Sequence, residues 1–126
     1  MKSEIKTSQA PQALGPYSQG TRGSGEWLFV SGQTPLDPET MVLVGVDAAA
    51  QAHQCLKNVM AILAASGAGP EHVTRTTVYL KDMDDFAAVN AVYATYFPAP
   101  YPARACVQVC RLPKDALVEI DAIALV

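Results

Sequence analysis

The apolar residues of the last two strand-forming segments fall on both faces, yet the chain has only two helices with which to cover them. Residues 104–110 and Val118 to Val126 read as strands. Along them Val107, Val109, Val118, Ile120 and Leu125 distribute to either side. Two helices cover one face of a four- to six-stranded sheet, so the second face needs another cover. Copies of the sheet packed around a symmetry axis supply one. The charge content agrees: of 126 residues, 17% are charged and 50% hydrophobic, a low charge for a wholly solvated surface. At this length the expectation is a single domain over residues 1–126.

The remaining elements follow from pattern. Lys2 to Thr7 alternates as a weak edge strand before a turn at Gly15-Pro16. Tyr17 to Arg22 reads as a second short strand, stopped by Gly23-Ser24-Gly25. Trp27-Leu28-Phe29-Val30 is the strongest early strand signal and ends at Ser31-Gly32. After a loop over residues 33–46, Asp47 caps a helix whose buried stripe is Ala52, Leu56, Val59, Met60 and Leu63, with Gln51, Gln54, Lys57 and Asn58 on its solvated side. Gly67 and Gly69-Pro70 stop it. Val73 to Leu80 is a strand of alternating faces. Asp82 or Asp84 caps a second helix with the stripe Phe86, Val89, Tyr93 and Tyr96-Phe97, from which Asn90 points outward, and Pro98, Pro100 and Pro102 end it. The order ββ(β)-α-β-α-β-β predicts an α+β fold with two helices on one sheet face.

Nine Lys and Arg against twelve Asp and Glu give a net charge of -3, with no basic block, so no nucleic acid partner is expected. No run is long and apolar enough to span a membrane, and the start of the chain lacks the apolar core of a signal peptide. Three cysteines in no framework spacing read as reduced thiols of a cytoplasmic protein. Cys106 and Cys110 lie about 13 Å apart on a straight strand, too far for a disulfide or a zinc pair. His53 and His72 lack short-range partners, so no metal and no cofactor is expected. Arg104 opens a strand behind a proline-stiffened segment and offers a rigid fork for a carboxylate; on charge alone Arg22, Arg75 and Arg111 are equal candidates. Glu119 shares a strand face with Asp121, about 6.6 Å away, a spacing that resembles a hydrolase carboxylate pair, although the chain shows no large groove-forming insertions for a glycosidase. The alternative use is one carboxylate positioning a water. Tyr17, Ser31, Gly32 and Asn90 lie where loops and helix faces build sites. Alone, these residues describe a small oligomeric domain with an anion site and name no reaction.

The motifs that carry a resemblance run in order over nearly the whole chain. They are Gly15-Pro16-Tyr17-Ser18-Gln19, Ser31-Gly32-Gln33, Lys57-Asn58, Thr76-Thr77-Val78, Val89-Asn90-x-x-Tyr93, Pro102-Ala103-Arg104-x-Cys106-Val107, Leu112-Pro113-Lys114 and Glu119-Ile120-x-Ala122-Ile123-Ala124. Together they resemble the Rid (RidA/YjgF) family of reactive-imine deaminases. The resemblance implies a trimeric chorismate-mutase-like fold, a mixed β-sheet with two helices on one face and a homotrimer packed sheet to sheet around a central barrel, with ligand clefts between subunits. It implies an enzyme that hydrolyses 2-imino acids (2-iminobutanoate, 2-iminopropanoate) to 2-keto acids and ammonia without metal or cofactor. The imines come from pyridoxal-phosphate-dependent dehydratases.

By the same resemblance, Arg104 grips the substrate carboxylate and Glu119 positions the attacking water. Cys106 lines the pocket through its backbone, and Tyr17, Ser31, Gly32 and Asn90 complete the substrate site with the neighbouring subunit. Ala105 stands where many relatives have Ser or Thr, and its side chain is expected to point away from that of Arg104. The alternative is a ligand-binding or chaperone-like member of the same family; an RNA-cleaving role fits the acidic balance less well. The reading requires Arg104 and Glu119 to meet around one cavity where subunits join. Side chains on opposite sides of the sheet, with no common pocket, would remove the mechanism.

Overall fold

The computed structural model describes residues 2–126. Its elements are β1 (Lys2–Ile5), β2 (Gly20–Gly23), β3 (Trp27–Gln33), α1 (Ala48–Ala65), β4 (Val73–Leu80), α2 (Phe86–Ala94), β5 (Ala103–Gln108) and β6 (Val118–Leu125). The main sheet has the order β3-β6-β4-β5, in which β4 and β5 are parallel and the other pairs antiparallel. Strands β1 and β2 form a separate antiparallel ribbon. Thr21 Oγ1 ties that ribbon to the sheet by donating to the Thr74 carbonyl at 2.7 Å. The α+β class and the element order match the expectation. The second strand is shorter than expected, since Tyr17 lies in a bend before it.

Parallel neighbours cannot be joined by a tight turn. Helix α2 is the crossover from β4 to β5, and α1 carries the chain from β3 to β4. The Asp47 carboxylate starts α1 by accepting the Ala50 N–H at 2.8 Å. Gly67, at φ +76°, ends it in the left-handed conformation that glycine adopts without strain. At the start of α2 the expected cap is displaced. Asp82 accepts the Asp84 N–H at 2.8 Å and caps the short turn Met83–Asp85, while the N-cap of α2 is Asp85, which makes no capping hydrogen bond.

Both helices pack on the same face. Ala52, Cys55, Leu56, Val59 and Leu63 of α1 and Tyr93 of α2 are fully buried against Val78, Leu80, Val118, Ile120, Ala122 and Ala124. Met60, expected in the α1 stripe, is only half-buried. Each fully buried aliphatic side chain contributes about 1.5–3 kcal/mol relative to exposure. The polar side of α1 is not solvated as expected, because Gln51 and Gln54 are buried. Gln51 accepts the Leu117 N–H at 2.7 Å, Gln54 donates to Asn58 Oδ1 at 2.9 Å, and Asn58 donates to the Thr34 and Leu36 carbonyls at 3.2 and 3.0 Å. These amides pin the loop after β3 onto the helix.

The other face of the sheet carries no helix. Trp27 and Phe29 stack there at 6.1 Å between ring centroids, 59% and 73% exposed, on the same side as Ile123 and Val107. This is the uncovered apolar face that the strand pattern implies.

Candidate active site

Arg104 lies on β5, the edge strand, directly opposite Thr76 in the parallel register. Thr76 faces the helices, where its hydroxyl meets Tyr93 Oη at 2.8 Å. The Arg104 side chain therefore points to the helix-covered side. Its guanidinium carbon lies 4.8 Å from the Tyr93 ring centroid, 5.5 Å from Tyr17 and 5.7 Å from Phe86. Three aromatic faces stabilise the cation and fix its plane. Nη1 donates to Asn90 Oδ1 at 2.6 Å. Asn90, expected to face outward from α2, instead orients the arginine. No carboxylate among the described residues forms an ion pair with Arg104. A half-buried guanidinium with donors to spare and no internal counter-ion is chemically suited to accept a carboxylate.

Tyr17 reaches this cage because the chain before β2 is stitched to the sheet edge. The Ser18 N–H donates to the Pro102 carbonyl at 3.0 Å, Ser18 Oγ donates to the Tyr101 carbonyl, and Ser18 bridges Ala103. Beside Tyr17 opens a cleft of about 700 Å³ lined by Glu4, Lys6, Thr7, Gly15, Gln19 and Tyr101. Cys106, opposite Val78, shares the Arg104 side of the sheet. Burial pushes its thiol up, with Arg104 opposing, so the sulfur is poorly suited to act as a thiolate nucleophile. Burial also pushes the Tyr93 phenol up to about 12, keeping it neutral under the guanidinium. Ala105 pairs with Thr77 and points to the other face, as expected.

Glu119 occupies the opposite side. It pairs with Tyr79 across β6 and β4, three positions from Thr76, and an odd offset along a strand reverses the face. Its neighbours there are Asp121, Tyr79 and the Ser31-Gly32 segment. Between Val30 and Gln33 the pairing of β3 with β6 slips by one residue, so Ser31-Gly32 is a bulge. A Cβ on Gly32 would lie 2.2 Å from Glu119 Oε2. Any larger residue there would push that carboxylate aside. Burial, and next the charge of Asp121, raise the Glu119 carboxyl above its ordinary value, which makes it a stronger base than a solvated glutamate.

The seven candidate residues thus fall into two groups. Arg104, Tyr17, Asn90 and Cys106 form one on the helix side, and Glu119, Ser31 and Gly32 the other on the open side. Within one chain Arg104 and Glu119 share no pocket. Within one chain this is the arrangement that removes the expected mechanism, so the expectation of a common pocket is not met there. The two groups would share a site only where each came from a different copy. Asn90 was missed as a partner of Arg104; Asp121 was placed beside Glu119, but its fixing by Thr77 and Tyr79 was missed. Both depend on packing between elements.

The family model of Endoribonuclease L-PSP matches residues 7–126. A RutC family protein of Synechocystis is 54% identical over 96% of this chain and 94% of its own length. The 2-iminobutanoate/2-iminopropanoate deaminase of Salmonella typhimurium is 48% identical over 99% of this chain and 98% of its own. The crystal structure of E. coli TdcF with bound serine superimposes with a TM-score of 0.76 at 43% identity, covering 98% of each chain. Sequence, fold and matched length agree, and the chain belongs to the RidA/YjgF (Endoribonuclease L-PSP) family.

Proposed function

We propose that this protein is a cofactor-independent deaminase that hydrolyses 2-imino acids such as 2-iminobutanoate and 2-iminopropanoate to 2-keto acids and ammonia. Its sites are clefts between the subunits of a homotrimer. The observation that carries the reading is the division of the chain into two half-sites on opposite sheet faces. One is a caged arginine without a counter-ion, the other a carboxylate of raised basicity under a glycine bulge. The near full-length identity to a 2-iminobutanoate/2-iminopropanoate deaminase supplies the substrate class. Pyridoxal-phosphate-dependent dehydratases are the class of enzyme that releases such imines.

In this reading the open sheet faces of three copies pack together, covering Trp27, Phe29 and Val107. The Glu119 half-site of one copy then meets the Arg104 half-site of the next. Arg104 binds the substrate carboxylate through its free N–H donors and fixes the C=N bond in the cleft. The iminium carbon is already electrophilic, so the protein has only to deliver water. Glu119 holds the water and takes a proton as the C–O bond forms, giving a carbinolamine. Returning a proton to nitrogen lets the C–N bond break. Ammonia leaves and the carbonyl forms, so imine and water are consumed and keto acid and ammonia released. The acidic balance of the chain, -3, favours this over a role on RNA.

Replacing Arg104 with Ala tests the reading. In a dehydratase-coupled assay, imine-dependent keto-acid release should fall by about a hundredfold or more through loss of the anchor. Lys at this position should not restore it, because an ammonium lacks the planar fork. Release at the unaltered rate by a correctly assembled Arg104→Ala protein would defeat the proposal.

A further inference from the structure

We propose that Asp121 is a positioning residue that tunes Glu119, a fixed negative charge that strengthens its neighbour as a base without contacting substrate. The inference rests on the reading that Glu119 activates water. Asp121 and Glu119 share the open face of β6, two residues apart. They differ in how they are held. Asp121 Oδ1 accepts the Thr77 N–H at 3.0 Å and Oδ2 accepts the Tyr79 O–H at 3.1 Å. Its two oxygens are engaged and its geometry is fixed from β4. Glu119 makes no side-chain hydrogen bond among the described residues and lies under the bare backbone of Gly32. Of two neighbouring carboxylates, one is locked and one is free to hold water. Such divided environments separate a base from its electrostatic support.

Of the charged groups around Glu119, Asp121 is the one that adds to burial in raising its carboxyl. Tyr79, directly across on β4, is pushed up by burial and then by the charge of Asp121, so it stays a neutral donor. The β3 bulge brings only Ser31 and Gly32. Cys55, on α1 beneath the sheet, is pushed up to about 12 and carries no charge. Arg75 lies four positions further along β4, opposite Ile123. Lys81, beyond the strand end, donates to the Cys110 carbonyl at 2.5 Å. Arg104 of a second copy, brought in by assembly, faces Glu119 equally in wild type and variants, so a difference measurement removes it.

The test is a carbon-13 NMR titration of the Glu119 side-chain carboxyl in the assembled protein, assigned with Glu119→Gln. It is run beside the pH profile of kcat/KM on enzymatically generated iminopropanoate. Asp121→Asn keeps the shape and removes the charge; Asp121→Glu keeps the charge. The expected result is a lower Glu119 midpoint in Asp121→Asn, an acidic limb of the profile displaced the same way, and a fall of about two- to fivefold in kcat/KM near neutrality. Asp121→Glu should restore the midpoint and the limb. An unmoved Glu119 midpoint in Asp121→Asn would overturn the inference whatever the activity. A moved midpoint with an unmoved limb would instead show that Glu119 is not the base. That outcome sinks the proposed mechanism and, with it, the catalytic role given to Asp121.

Discussion

The two faces of the main sheet are built from the same strands and have opposite characters. On the helix side Val118, Ile120, Ala122 and Ala124 of β6 lie under α1 and are fully or almost fully buried. On the other side Glu119, Asp121 and Ile123, from the same strand, stand beside Trp27 and Phe29 with no helix above them. The first face is finished by the chain itself, and the second is left open in the single chain, where the proposed reading packs another copy. The proposed chemistry follows that division, since the anchor faces the helices and the base faces the open side. A single fold thus supplies two unlike half-sites, and assembly becomes a condition of catalysis.

The comparison can be broken from either side. Leu56→Ala on the covered face should cost about 2–5 kcal/mol of stability, read as a lowered denaturation midpoint. Phe29→Ser on the open face should cost the isolated fold far less, because the ring is 73% exposed. Its effect should appear in light scattering instead, as a shift from trimer toward monomer with loss of turnover. A Phe29→Ser protein that stays trimeric would mean the open face is not the interface.

Gly32→Ala sharpens the contrast within the open face. The new methyl would displace the Glu119 carboxylate, so kcat should fall by about tenfold or more while the denaturation midpoint moves little.

The smallest effect is in the pH dependence of stability. The Glu119 carboxyl is raised in the folded chain, so the fold holds its proton to higher pH than the unfolded chain does. The folded state is therefore favoured at pH below the ordinary glutamate range. Stability declines as pH rises from there through the raised value, then levels off. Melting temperatures between pH 4 and 7 should show this slope in wild type and a flatter one in Glu119→Gln. Equal slopes would mean the raised value has no stability cost.

The covered face was legible in the sequence because its rules are local. The Asp47 cap, the Gly67 stop and the alternation of Val73 to Leu80 each depend on a few neighbouring residues. The uncovered face was legible too, as a surplus of apolar residues over the helices available. Three things were not. Gln51, Gln54 and Asn58 are polar, and periodicity assigns polar residues to water; the burial of Gln51 and Gln54 and the half-burial of Asn58 come from loop backbone groups that the pattern does not reveal. Asn90 meets Arg104 only through the docking of α2 on β5. Most consequentially, alternation fixes the faces within one strand but not between strands. Arg104 and Glu119 were separated by the pairings of Thr76 with Arg104 and of Tyr79 with Glu119, and register belongs to the assembled sheet.

Subunit complementation tests the shared cleft most directly. Arg104→Ala and Glu119→Gln proteins, each inactive alone, are mixed, unfolded and reassembled together. If a site takes its arginine from one copy and its carboxylate from the next, random trimers regain about a quarter of wild-type activity, because about three in four are mixed and each mixed trimer holds one intact site. Mixed trimers that remain as inactive as their parents would contradict the account.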